Sequence, residues 1–270
     1  MSIVFAAAMS HAPGATAWPE AAGPEMLASV TRGFDAIKAQ FHDSRPERLV
    51  LLTSEHWANF FLDHVSAFCI GRAETFTGPV EPWLKIPKQT FVGDPAFALS
   101  MLEHCYANGF EPGHAQELQF DHGTMVPLAF LAPTADCKVV PMVFNTLAPP
   151  RARPDRCLEL GKTLRQFLEA RPERIAVIAT GGMSHDPGER RHGFIDTAFD
   201  AEFLRKITSG EIDALGRYSD AQLLAAGAGT LELLAWICLA GVMAKHKAEL
   251  VVYEPVAPWA TGVGMVTYAV

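Results

Sequence analysis

The chain has 270 residues, 49% of them hydrophobic and 19% charged, with a formal net charge of −8. A chain of this kind buries about three quarters of its unfolded surface and is neither disordered nor fibrous. Its acidic balance argues against nucleic acid as a partner, which favours a basic face. No run reaches the 18 or so uninterrupted apolar residues of a membrane span. The five cysteines (69, 105, 137, 157 and 238) are odd in number and form no C-x-x-C pair. A disulfide scaffold and a thiolate zinc site are therefore not expected, and a reducing cytoplasm is the expected compartment. A metal here needs nitrogen and oxygen ligands.

In chain order, Ile3–Met9 is an apolar run with no basic residues before it and reads as a first strand, not a signal peptide. Met26, Leu27, Val30, Phe34, Ile37 and Phe41 recur at helical spacing and predict a helix from Pro24 to Phe41. Leu49–Thr53 and Val65–Ile70 are β-runs. The proline-rich stretch Thr77–Val92 reads as an irregular excursion, either covering a pocket or packed on the surface. Asp94-Pro95 is a cap followed by proline in the first helical turn, predicting a helix to Ala107. A short helix follows near Thr124, then a strand at Val139–Phe144, a helix at Asp155–Ala170 and a strand at Ile175–Thr180. Helix is expected again at Ala198–Ile207, after the Ser219-Asp220 cap, and from Thr230 to Lys245. Strands at Leu250–Tyr253 and Gly264–Val270 close the sheet. Alternating strands and helices predict an α/β fold, a single domain spanning 1–270 with a central mixed, largely parallel twisted sheet flanked by helices.

Three of the strands run into histidine: Ile3–Met9 into His11, Leu49–Leu52 into His56, and Ile175–Thr180 through Gly181-Gly182 into His185. In an open α/β sheet, ligands gather outside the carboxyl ends of the strands, so neighbouring strands of this kind bring three imidazoles together. His122, in Asp121-His122-Gly123, joins them as a fourth candidate. His42, His64, His104, His114, His192 and His246 need no function. Glu232 lies near the start of the most apolar helix, where a carboxylate is costly to bury unless it is paired or bound to a metal. The alternative is a first-turn glutamate stabilised by the helix dipole. Two imidazoles and a carboxylate suit non-haem Fe(II) with open positions, and also catalytic zinc. Spacing alone does not choose between them.

Five motifs, in order, carry a family resemblance. They are Ser10-His11-Ala12-Pro13; Glu55-His56 with Asn59 and Phe60-Phe61; Asp121-His122-Gly123 with Val126-Pro127-Leu128; Thr180-Gly181-Gly182-Met183-Ser184-His185; and Glu232 four residues before Trp236. Together they resemble the class III extradiol ring-cleavage dioxygenases, the family that includes the catalytic β subunit of protocatechuate 4,5-dioxygenase. The segments Gly71–Phe76 and Gly181–His185 look closest to that branch. Pro255–Gly264 is more similar to enzymes cleaving 2,3-dihydroxyphenylpropionate, so the ring substituents stay open.

The resemblance implies an Fe(II) enzyme that inserts O2 into a catechol-type ring such as protocatechuate or gallate. By position it implies His11, His56 and Glu232 as iron ligands, His185 as the acid–base residue and His122 as its partner in the pocket. Asn59 and Trp259 are assigned to substrate binding; Trp57, Phe60, Phe61 and Trp259 are candidates to wall the ring, with core packing an equally good reading. Glu55 stands where these enzymes often have aspartate, and the change is expected to alter a contact orienting His56. The chain carries no small helical lid domain; some relatives supply it as a separate α subunit, and the resemblance implies a homo- or hetero-oligomer. A zinc hydrolase using the same residues, and a non-catalytic binding protein of the same fold, are the competing readings. No nucleotide-binding fingerprint is present.

Overall fold

The three histidine-terminated runs are adjacent strands of one sheet. The computed structural model describes residues 2–187 and 190–270. Its strands are β1 (Ile3–Met9), β2 (Arg48–Ser54), β3 (Phe68–Gly71), β4 (Thr75–Gly78), β5 (Gln89–Val92), β6 (Gly113–Ala115), β7 (Lys138–Phe144), β8 (Ile175–Thr180), β9 (Ala248–Val256) and β10 (Thr261–Tyr268). Eight form a mixed sheet in the order β6-β3-β7-β2-β8-β1-β10-β9. The central strands β7, β2, β8 and β1 are mutually parallel. β3 pairs antiparallel with β7 and parallel with β6, while β10 and β9 close the other side antiparallel. Met9 lies opposite Thr180 and Leu52 opposite Ala179, so β1, β8 and β2 end level with one another.

The parallel strands read as continuous apolar runs because both their faces are covered. Val50 and Leu52 of β2, with Val177 and Ala179 of β8, face one core. That core is completed by α2 (Pro95–Ala107), α4 (Pro154–Glu169), α5 (Thr197–Ser209) and α6 (Leu233–Val242), numbering the longer helices in chain order. Leu49 and Leu51, with Ala176 and Ile178, face the opposite core under α1 (Pro24–Ser44) and α3 (His122–Leu131). Among the described residues, no helix is long and apolar enough to cross a membrane.

Local signals account for several boundaries. Asp94 caps α2 by accepting from the Phe97 amide, and Ser219 forms a capping box with Gln222. Two expectations need correcting. The Thr77–Val92 excursion is not irregular throughout, because β4 and β5 pair as an antiparallel two-stranded sheet around it. The helix expected from Thr230 to Lys245 is shorter: a 3-10 turn, Ala228–Glu232, leads into α6, which ends at Val242.

α6 is buried on every side and lies backbone to backbone on α4. A Cβ on Gly161 would overlap the Cys238 carbonyl, and one on Gly241 would overlap that of Leu158. This contact sets how α6 approaches the sheet, and Glu232 stands at its start. Gly161→Ala is accordingly expected to cost about 1–3 kcal/mol of stability by overpacking. A lowered urea midpoint at unchanged m-value would show it; an unchanged midpoint would mean the helices part freely.

Candidate metal and acid–base site

Glu232 is the point on which the histidines converge. Its Oε2 lies 3.0 Å from His11 Nε2, and its Oε1 lies 3.2 Å from His56 Nε2 and 3.5 Å from His185 Nε2. The Gly182 amide donates to Oε2 at 2.6 Å, so the carboxylate is held from the β8 side as well. It is only 6% exposed. The helix-dipole reading of Glu232 is thus insufficient, since both oxygens are turned to imidazoles and a strand-end amide.

Each histidine is fixed through its other ring nitrogen. His11 Nδ1 is 3.1 Å from Thr180 Oγ1. The Thr180 hydroxyl also reaches the Gly123 carbonyl at 3.0 Å, an oxygen that only accepts. It lies 2.9 Å from Thr53 Oγ1 as well, so the hydroxyl ties the His11 ring to the ends of β2 and β8 and aims Nε2 at Glu232. His56 Nδ1 is 2.9 Å from Asp121 Oδ2. His185 Nδ1 lies 2.8 Å from the Met183 carbonyl, which fixes the hydrogen on Nδ1 and turns Nε2 to the centre. His122 packs its ring 4.1 Å from that of His56 and 5.5 Å from that of His11, centroid to centroid. Imidazole nitrogens of His11, His56 and His122 all lie within 4.8 Å of one another.

Two glycines make the close approach feasible. Gly229 faces the His185 ring so closely that a Cβ would overlap it, and Gly181 has φ +145°, with Glu232 against the place its side chain would occupy.

The electrostatics follow from this packing. Burial pulls the His56 imidazolium down, but Asp121 and Glu232 more than offset it and hold the group well above 6.5. His185 is raised in the same sense, burial again being outweighed by Glu232. At His11 burial prevails over Glu232 and the value is lowered. Burial opposes ionisation of Glu232, yet His11 and His185 keep it well below the ordinary carboxylate value. Asp121 is lowered by His56 despite its burial. The result is an ionised carboxylate facing imidazole nitrogens in a largely buried site.

Other expected residues sit differently. The Glu55 carboxylate does not orient His56, as had been expected from its extra methylene; it accepts from the main-chain amides of Trp57, Ala58, Asn59 and Phe60 and ties the loop after β2 into a turn. Asn59 engages Gln119 with both ends of its amide, accepting at 2.7 Å and donating at 3.0 Å. Trp259 is buried against Gly14 and donates to the Trp18 carbonyl at 3.3 Å, bracing the loop that carries His11. Trp57 and Phe61 are exposed. His42, His104 and His246 bond main-chain carbonyls of Leu131, Thr163 and Ala269, in line with structural roles. Sequence reasoning missed Glu81, Trp83 and Thr180 as neighbours of the site. Trp83 lies 6.0 Å from the His122 ring and 6.1 Å from that of Trp18, and both tryptophans are exposed. Thr180 was readable as the last residue of a histidine-bearing strand.

The family model described as the catalytic LigB subunit of aromatic ring-opening dioxygenase matches residues 5–264. The chain belongs to this family. That family is the LigB catalytic-subunit family of the class III extradiol aromatic ring-opening dioxygenases. Among LigB-family relatives, a 2,3-dihydroxyphenylpropionate/2,3-dihydroxicinnamic acid 1,2-dioxygenase of Photorhabdus laumondii is 25% identical, aligned over 88% of this chain and 89% of that protein. The Cupriavidus necator protein of the same name is 26% identical over 88% and 90%. The fold is shared with the uncharacterized protein JW3007 from Escherichia coli K12, at TM-score 0.62 and 17% identity, covering 98% of this chain and all of that one.

Proposed function

We propose that the protein is an Fe(II)-dependent extradiol dioxygenase that opens a catechol-type ring beside its hydroxyls. The observation that carries the reading is the Glu232 carboxylate lying between His11 Nε2 and His56 Nε2. Those three residues offer two nitrogens and an oxygen on one side of the site, the donor set that leaves the opposite face free for substrate. Bound there, Fe(II) supplies Lewis acidity towards a catechol hydroxyl and the redox chemistry of dioxygen.

The chain's own residues supply the rest. Asp121 and Thr180 hold Nδ1 of His56 and His11, so that each ring presents Nε2 to the centre. His185 takes a hydroxyl proton at Nε2 while Met183 holds its Nδ1–H, and returns it as the ring opens. His122 hydrogen-bonds a substrate hydroxyl. Gly181 and Gly182 let Glu232 and His185 pack directly on the end of β8, which is what brings them to the centre. Asn59 acts through the loop after His56, and Trp259 through the loop after His11.

Protein loaded anaerobically with Fe(II) and given protocatechuate, gallate or 2,3-dihydroxyphenylpropionate is expected to consume O2 and form a yellow product. No uptake with any catechol or aminophenol overturns the reading, and stoichiometric zinc with no gain on adding iron points to a hydrolase instead.

Loading should also depend on pH. The raised imidazoles of His56 and His185 stabilise the metal-free fold fully below about pH 6.5, a contribution lost as pH rises through their folded values. A metal needs the neutral His56 ring, so binding releases its proton and tightens with rising pH. Calorimetry in buffers of different ionisation enthalpy measures that release; no net proton release near neutral pH contradicts it.

A further inference from the structure

The segment between β4 and β5 delivers a carboxylate to the site. Glu81 Oε1 lies 2.6 Å from His122 Nδ1 and also accepts from the main-chain N–H of His122 at 3.2 Å. Its second oxygen, Oε2, is buried with no hydrogen-bond partner. A carboxylate with a dry, unpaired oxygen is unfavourable, so its placement is not explained by stabilising the loop. The neighbouring residue completes a second pair of the same kind, Asp121 on His56.

We infer that Glu81 is the positioning residue for His122, an assignment that rests on the pocket role given to His122 above. A neutral imidazole in water favours its hydrogen on Nε2. A carboxylate at Nδ1 reverses that preference, because only a protonated Nδ1 can donate to it. Glu81 therefore leaves Nε2 as the free acceptor nitrogen of a ring already packed against His56 and His11. It also ties the excursion to the site: within Pro79 to Pro87, Glu81 is bonded to His122, the first residue of α3. Glu81 touches neither His11, His56 nor Glu232 through any hydrogen bond or ion pair among the described residues, so its effect is separable from metal binding.

The test uses metal-free protein carrying 15N-histidine, as wild type, Glu81→Gln and Glu81→Ala, with His122 signals assigned by their loss in His122→Gln. Long-range proton–nitrogen correlation of the neutral ring is expected to show the hydrogen on Nδ1 in the wild type and in the glutamine variant, whose amide oxygen still accepts. In Glu81→Ala it should move to Nε2. With iron loaded, kcat of the alanine variant should fall by ~10–100-fold at unchanged iron content, and Glu81→Gln should restore most of it. An unmoved hydrogen in Glu81→Ala, wild-type turnover by that variant, or loss of its iron would each overturn the assignment. Should the alanine variant not fold, Glu81→Leu fills the same space and takes its place. If the wild type opens no catechol, the ring-cleavage reading fails while the tautomer still decides the part played by Glu81.

Discussion

Glu232→Ala should empty the site of iron. The carboxylate is the one anionic donor among the proposed ligands, and its oxygens lie 3.0 Å and 3.2 Å from the two imidazole nitrogens that would share the metal. Alanine leaves the His11 and His56 rings without the charge that balances a divalent ion. Glu232→Gln separates charge from shape: it keeps one carbonyl oxygen and the Gly182 contact but no negative charge, and should hold iron weakly. Metal analysis after dialysis against a weak chelator reads both. Full iron retention by the alanine variant would remove Glu232 from the ligand set and leave His122, whose nitrogen is in reach of the other two, as the third donor.

His185→Ala should do the opposite, keeping iron and losing turnover. His185 Nε2 stands 3.5 Å from Glu232, farther than the proposed ligands, and its Nδ1 is occupied by Met183. Removing a positioned acid–base group lowers turnover by ~10²–10⁴-fold, with iron content and substrate KM changing far less. The acidic limb of the pH–rate profile set by this imidazole should vanish with it. Near-normal turnover, or loss of iron, would refute the proton-handling role.

Much of this site was readable from the chain alone, for a physical reason. Parallel strands buried on both faces must be apolar throughout, so β1, β2 and β8 end where polarity begins, and the residues just beyond face the crevice. His11, His56 and His185 declare themselves in that way. Glu232 was conspicuous because a charge beside Trp236, itself wholly buried, demands a partner. Glu81 gave no such sign: it lies in a proline-rich stretch without periodicity, and only tertiary packing carries it to His122. Nor did local pattern separate Glu55 from the ligands; that carboxylate turns away from its neighbour His56 to collect four amides of its own loop. β4 and β5 were missed because each is only four residues long: β4 alternates around the buried Phe76, but β5 buries no residue, so a strand signal is too short to stand out among the prolines.

The spread of the converging residues along the chain has a consequence for assembly. Positions 11 and 56 emerge early in synthesis, whereas position 232 follows 176 residues after the second of them. A nascent chain holding only the first two has imidazoles but lacks the carboxylate that lies between them in the folded protein. On the proposed ligand set, acquisition would be a late event: an ion that binds only the finished arrangement would stabilise every element supporting it, in proportion to the logarithm of its free concentration. If the proposed ligand set holds a metal, the stability of the folded chain should rise with the free concentration of that metal.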